Sequence, residues 1–190
     1  MSNPTQRPET IVYIATTVDG YIARDDDRLD WLEHDTGGED YGFQAFRDSL
    51  DTIVLGRRTY ERVLSFGGEW PYKGLTTVVL SRTLSTAGIP QALADEGVEV
   101  SALLPAELLK ELGRRGRKRV WIDGGRTVQT WLAAGLVDVL TLSRIPILIG
   151  AGIPLFGALP GDVRLQHRET QSFGSGVVQS TYRVAVGADS

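Results

Sequence analysis

The stretch Thr52-Ile53-Val54-Leu55-Gly56-Arg57-Arg58-Thr59-Tyr60-Glu61 decides the fold. Its first four residues are β-branched or leucine, a short continuous apolar run that reads as a buried strand. Gly56 breaks the run and opens a turn into a helix predicted over residues 59–64. Strand, glycine and helix start following one another this closely is the unit of an α/β sheet.

The same design returns twice. Residues 76–80 form an apolar, β-branched strand that runs into Ser81-Arg82, a hydroxyl beside an arginine where the first copy has glycine. Residues 120–122 run into Asp123-Gly124-Gly125-Arg126-Thr127, and Val128, Trp131 and Leu132 mark the helix that Gly135 stops. Further strands are predicted over 11–16, 98–101 and 137–144, and a helix over 105–112 that begins on a proline. Phe43, Phe46 and Leu50 give a helical stripe. Residues 24–38, acidic and polar around Trp31-Leu32, read as a long loop, of the kind that carries function. Residues 164–171 and 177–186 look like an antiparallel finish around the turn 172–176, and Gly174-Ser175-Gly176 has hairpin spacing, not that of a nucleophile elbow. The expected fold class is α/β: a mixed, mostly parallel sheet flanked by helices, in one domain over 10–187 after a disordered tail, 1–9.

Composition narrows the chemistry. The chain has 190 residues and no cysteine, which removes disulfides, thiolate nucleophiles and cysteine-ligated metals. Only His34 and His167 offer imidazole, and they show no ligand spacing, so no metal site is expected. A formal charge of −4 and a pI near 5.2 argue against nucleic acid. The basic residues between Lys110 and Arg119 read as a cationic helix end, not a nucleic-acid patch. The polar start of the chain lacks a signal-peptide core, and the uncharged run 145–161 is broken by Pro146, Pro154 and Pro160. A soluble, cytoplasmic protein with no membrane partner is the expectation.

The three strand ends carry the candidate site. Glycine lets a backbone approach a ligand, a helix N-terminus offers free N–H groups to an anion, and arginine clamps phosphate. In open α/β sheets such ends gather into one crevice. Three of them together point to a ligand with several phosphates, such as a dinucleotide. Neither a Walker A sequence nor G-x-G-x-x-G is present.

At these residues the chain resembles the dihydrofolate reductase superfamily, and more closely its branch related to the C-terminal reductase domain of bacterial riboflavin biosynthesis. The resemblance is carried by residues 11–23, by Gly56-Arg57-Arg58-Thr59-Tyr60-Glu61, by Val78-Val79-Leu80-Ser81-Arg82, by Asp123-Gly124-Gly125 and by residues 146–156, in that order along the chain. It implies the three-layer α/β/α fold of that superfamily and NADPH as cofactor. It places Gly56, Arg57, Arg58, Thr59, Ser81 and Arg82 around the adenosine phosphates, and Gly124, Gly125, Arg126 and Thr127 at the pyrophosphate. Ala15 would offer its backbone to the nicotinamide amide and Ile22 would pack on the ring. The implied activity is hydride transfer to a C=N or C=O carbon of a small heterocycle, resembling 5-amino-6-(5-phosphoribosylamino)uracil reductase, with a pterin or dihydrofolate second and a homodimer as the common assembly. A non-catalytic dinucleotide-binding protein is the alternative of another class.

Asp40 lies 16 residues before Gly56, the place of the pterin-holding carboxylate in dihydrofolate reductases, and is the candidate proton donor; it also suits a helix cap, and both roles can hold. Glu39 and Asp19 are weaker candidates. Ser143 falls where those enzymes carry a threonine bonded to that carboxylate. Trp31 and Trp70, in loops, are candidates to cover a flat ring, whereas Trp121 and Trp131 read as core. Two departures from the family stand out. Asp123 replaces the glutamate usual in the riboflavin branch, and residues 24–40 do not match a pterin-binding loop. No deaminase-type zinc motif exists.

Overall fold

The computed structural model describes residues 7–32 and 39–185. Eight strands form one sheet in the order β5-β4-β3-β6-β1-β7-β10-β9. They are β1 (Glu9–Thr17), β3 (Thr52–Gly56), β4 (Thr76–Leu80), β5 (Val98–Ser101), β6 (Arg119–Asp123), β7 (Val139–Ile145), β9 (Leu165–Ser172) and β10 (Val178–Val184). The six from β5 to β7 run parallel; β10 pairs antiparallel with β7, and β9 with β10. Two short strands, β2 (Tyr21–Ala23) and β8 (Ile153–Pro154), form a separate antiparallel pair. The helices are α1 (Phe43–Asp48), α2 (Arg57–Ser65), α3 (Gln91–Asp95), α4 (Pro105–Arg114) and α5 (Gly125–Ala133). This is the expected mixed, mostly parallel sheet with an antiparallel C-terminal pair.

The central strands are continuous apolar runs because both faces of the sheet are covered. Alternation sends Val12, Val54, Val78, Val120 and Ile122 to one face, where they meet Leu108 and Leu112 of α4 and Val128 and Trp131 of α5. Ile11, Ile53, Leu55, Val79 and Trp121 go to the other, against Leu50, Tyr60 and Trp70. Burying one such aliphatic side chain contributes roughly 1.5–3 kcal/mol, so these two layers hold the sheet ends in place.

The structure moves several expected boundaries. α2 begins at Arg57, two residues earlier than predicted, because Gly56 is itself the N-cap. β1 begins at Glu9, Pro8 is buried and Arg7 pairs with Asp138, so order extends before residue 10; residues 1–6 of the expected tail, and His34, lie outside the described residues. Trp31 is corrected outright as a ring-covering residue: it is fully buried in a short 3-10 turn. Within the loop Arg24 pairs with Asp30 and Arg28 with Asp26. Trp70 is likewise core, edge-on to Tyr60 and Tyr72. In the basic segment Arg114 and Arg115 bond Glu111, Arg115 also bonds Glu99, and Arg119 bonds Glu9, as a solvated helix end would. Among the described residues no helix is long and apolar enough to cross a membrane, and no cluster of His, Asp and Glu could hold a metal.

Candidate functional site

All six parallel strands end on one edge of the sheet, and a cleft of ≈ 1280 Å³ runs along it. Single ligands occupy about 300–1,000 Å³, so this space suits two ligands side by side. Ala15, Ile22, Asp40, Gly56, Arg57, Arg58, Thr59, Ser81, Arg82, Gly124, Gly125, Arg126, Thr127 and Ser143 all line it; Trp31 and Trp70 do not.

The cleft has a gap at its centre. β1 and β6 pair only from Glu9↔Arg119 to Ile11↔Trp121. β6 then continues beside β3 to Asp123, while β1 continues beside β7 to Thr17. The two strands part, and the β6-facing backbone edge of residues 13–15 is left without a ladder partner. Backbone N–H and C=O groups so freed must be satisfied from elsewhere, and a planar amide matches them.

On one side of the gap lie the starts of α2 and α5. Their N-caps are glycines, Gly56 and Gly124, with no side-chain cap bond, so the first-turn N–H groups stay open to an anion. Gly124 sits at φ +90°. A Cβ there would collide with Thr59 Oγ1, and one at Gly56 would stand 3.0 Å from Thr127 Oγ1. Each helix start thus presents a threonine hydroxyl to the other's glycine, and Ile22 packs onto Gly125.

The arginines divide into two kinds. Arg57 donates from Nε to Glu61 Oε1 (2.6 Å) and from Nη1 to Thr83 Oγ1 (2.9 Å). Arg58 donates from Nε and Nη2 to Asp27 Oδ2 (2.9 and 2.6 Å). Arg82 and Arg126 line the cleft and form no ion pair among the described residues; the same holds for Arg62, which lies over the Phe66 ring. Ser81 Oγ accepts from the backbone N–H groups of Thr83 and Leu84, shaping the turn after β4. Leu103 and Leu104, exposed before α4, add an apolar wall.

On the other side the wall is aromatic and hydroxylic. Trp121 and Asp123, two apart on β6, share a face. Tyr72 sets its ring edge-on against Trp121 (5.7 Å between centroids) and Trp70 (5.2 Å), which brings it beside Asp123. Burial pushes the Asp123 carboxyl up to about 6, against a hydrogen bond from the Gly124 N–H that favours the charged form. Burial, and then the Asp123 charge, raises the Tyr72 phenol far above its ordinary range. Across the gap Tyr13 stacks on Phe46 at 4.3 Å, donates to the Tyr41 carbonyl (2.6 Å) and accepts from Gln179 Nε2 (2.8 Å). Gln179 Nε2 also reaches Ser143 Oγ at 2.9 Å. The Tyr13 phenol is raised by burial, eased by Gln179, with the Asp40 charge adding.

Asp40 is exposed on the rim. Its carboxylate accepts from the Gly42 N–H (2.8 Å) and the Gln44 N–H (3.2 Å), so it braces the first turn of α1 from two residues before the N-cap, Gly42. Asp19 binds the N–H groups of Ile149 and Gly150 and fastens that loop, away from the cleft. The half-buried carboxyl of the site is Asp123, at a strand end that the sequence marks for the cleft without giving the carboxyl itself a role. Its signal was available: a strand-end residue in step with a core tryptophan must face the cleft that the strand end makes. Tyr72 and Gln179 had no such signal.

Comparison with known proteins agrees with this architecture. The RibD C-terminal domain matches residues 8–179. YwjB of Bacillus subtilis, an uncharacterised protein, is 34% identical over 174 residues, 89% of this chain and 94% of YwjB. A crystal structure from Shewanella sp. PV-4, provisionally assigned to riboflavin biosynthesis, superposes with a TM-score of 0.87 at 35% identity, over 93% of this chain and 99% of that one. The Thermotoga maritima diaminohydroxyphosphoribosylaminopyrimidine deaminase/5-amino-6-(5-phosphoribosylamino)uracil reductase shares the fold at 16% identity and a TM-score of 0.69, and the match covers 94% of this chain but only 57% of that larger protein. The length of the family match, together with a 34% relative aligned almost end to end, settles the lineage: the chain belongs to the RibD C-terminal domain family.

Proposed function

We propose that this protein is an NADPH-dependent reductase acting on a C=N or C=O carbon of a small heterocycle, of the kind the riboflavin-pathway reductases reduce. The observation that carries the reading is the parting of β1 and β6. It joins two chemically different half-clefts through one slot. Uncapped helix starts with Arg82 and Arg126 stand on one side; Asp123, Tyr72 and Ser143 stand on the other.

The donor set fits a dinucleotide. Open N–H groups of α2 and α5 suit its phosphates, and glycine at 124 and 125 keeps the approach free of side chains. Ala15 would hold the nicotinamide amide at the open edge of β1, and Ile22 would pack on its ring. When bound, the nicotinamide supplies a hydride to the substrate carbon, and the attached nitrogen or oxygen then needs a proton. Asp123 holds one at slightly acid pH, because burial keeps its carboxyl neutral up to about pH 6. Tyr72 keeps its phenol proton at every working pH and can donate a hydrogen bond to the same group.

A tryptophan-fluorescence titration with NADPH and NADH tests the reading. Of the four tryptophans only Trp121 lines the cleft. NADPH should bind at micromolar concentration, more tightly than NADH, with quenching that Trp121→Phe abolishes. Absence of binding by either dinucleotide would overturn the reading.

A further inference from the structure

The long acidic loop and the start of α2 are the two lips of the cleft, and one ion pair joins them. Asp27 and Arg58 both line the cleft, 31 residues apart, with Arg58 Nη2 at 2.6 Å and Nε at 2.9 Å from the same Asp27 oxygen. Among the described residues the other loop pairs are internal, Arg24 with Asp30 and Arg28 with Asp26, and Asp27 is the loop carboxylate that reaches across to α2. It is built to do so. Asp27 adopts φ +65°, a conformation rare outside glycine, held by a hydrogen bond from its N–H to the Arg24 carbonyl (3.0 Å). Arg58, for its part, leaves the helix start where the open N–H groups await an anion.

We propose that Asp27 competes with the phosphate groups of a bound nucleotide for Arg58. The Asp27–Arg58 pair is then a clasp across the cleft mouth that lowers affinity for anionic ligands and makes their entry depend on opening it. This rests on the reading that the phosphates lie at the α2 start. The same carboxylate that satisfies Arg58 repels a phosphate brought beside it, so the guanidinium contributes to binding only once Asp27 lets go. Arg82 and Arg126, without such partners, supply the first attraction. The pair is partly exposed, side chains 67% for Arg58 and 30% for Asp27, which keeps the competition modest and reversible.

The test is Asp27→Asn, which removes the charge and keeps a residue that tolerates positive φ, so the turn survives. Binding of NADPH, NADH and inorganic pyrophosphate is measured on wild type, Asp27→Asn, Arg58→Gln and the double variant. Asp27→Asn should tighten both NADPH and pyrophosphate by about fivefold at low salt, the scale of an exposed ion pair. The gain should shrink at high salt and vanish in the Arg58→Gln background. Unchanged affinity in Asp27→Asn, while wild type binds NADPH, overturns the clasp and leaves the reductase reading standing. Weaker binding also overturns it, since Asp27 would then be holding the ligand. Binding by Asp27→Asn but not by wild type supports it in its strongest form, and binding by neither overturns the clasp together with the cofactor reading.

Discussion

The hydroxyl of Thr59, on the first turn of α2, occupies the place where any side chain at Gly124 would begin. Gly124 also sits at φ +90°, so it is constrained twice, by backbone conformation and by the closeness of the two helix starts. The two helix starts lie so close that each one's threonine hydroxyl stands against the other's glycine.

Gly124→Ala should therefore destabilise by about 2 kcal/mol, the sum of an unfavourable φ and a contact that must give way. For a chain of this size that is roughly a 4–8 °C fall in Tm. Adding Thr59→Ala removes the collision and leaves the φ cost, so the double variant should recover part of the loss. Gly125→Ala should cost less, because its neighbour is the terminal methyl of Ile22, at 2.7 Å from the new Cβ and free to rotate away. Equal losses for both glycines would show that the Thr59 contact has no weight.

Asp123 makes stability depend on pH with a definite sign. Its carboxyl goes from 3.8 in the unfolded chain to about 6 in the folded protein, so the folded state disfavours the charged form. Below about pH 3 both states are protonated and nothing is lost. As pH rises towards 6 the unfolded chain ionises first, and above 6 the full cost is present, about 3 kcal/mol for a shift of two units. Asp123→Asn should accordingly raise Tm at pH 7.5 and leave it unchanged at pH 3. A gain of equal size at both pH values would remove burial of this charge as the cause. If the protonated form delivers the proton, substrate reduction should also fall as pH rises above about 6, and the Asn variant should lose that dependence.

Tyr72→Phe separates ring from hydroxyl. The ring contacts with Trp70 and Trp121 remain, so stability should hold within about 0.5 kcal/mol by thermal melt. Dinucleotide affinity should also hold, while KM for a heterocyclic substrate rises. Loss of dinucleotide binding would place Tyr72 at the wrong end of the cleft.

What the sequence disclosed follows from range. The buried strands at 52–55, 76–80 and 120–122, and the turns at Gly56 and Gly124, are local patterns, and each is where the apolar runs and glycines point. The aromatic and hydroxyl wall is not local. Tyr72 reaches Trp121 from a loop with no periodicity, and Gln179 meets Tyr13 across 166 residues. The pairing of Arg58 with Asp27, 31 residues away in a loop with no periodic pattern, is equally out of local reach. Trp31 is fully buried although the stretch around it is acidic and polar, so no local pattern marks it as core.

Gln179 sets the polarity of the hydroxyl wall. Its amide has two hydrogens, and three acceptors stand around it: Tyr13 Oη, Ser143 Oγ and the Tyr41 carbonyl at 3.1 Å. Tyr13 already gives its proton to the Tyr41 carbonyl, so the two amide hydrogens are best used on Tyr13 and Ser143. Ser143 then accepts from Gln179 and keeps its own proton for the cleft that it lines. A substrate should meet it with an acceptor, a carbonyl oxygen or an unprotonated ring nitrogen. Gln179→Glu cannot donate; it forces Tyr13 and Ser143 to turn their protons inward and sets a carboxylate against the Tyr41 carbonyl. It should cost about 1–3 kcal/mol by thermal melt, and Gln179→Met, which reverses nothing, should cost less. The Glu variant should raise substrate KM with NADPH affinity intact. Were Gln179→Met as damaging to KM as Gln179→Glu, the amide would act by shape alone, and the direction of the Ser143 proton would be set elsewhere.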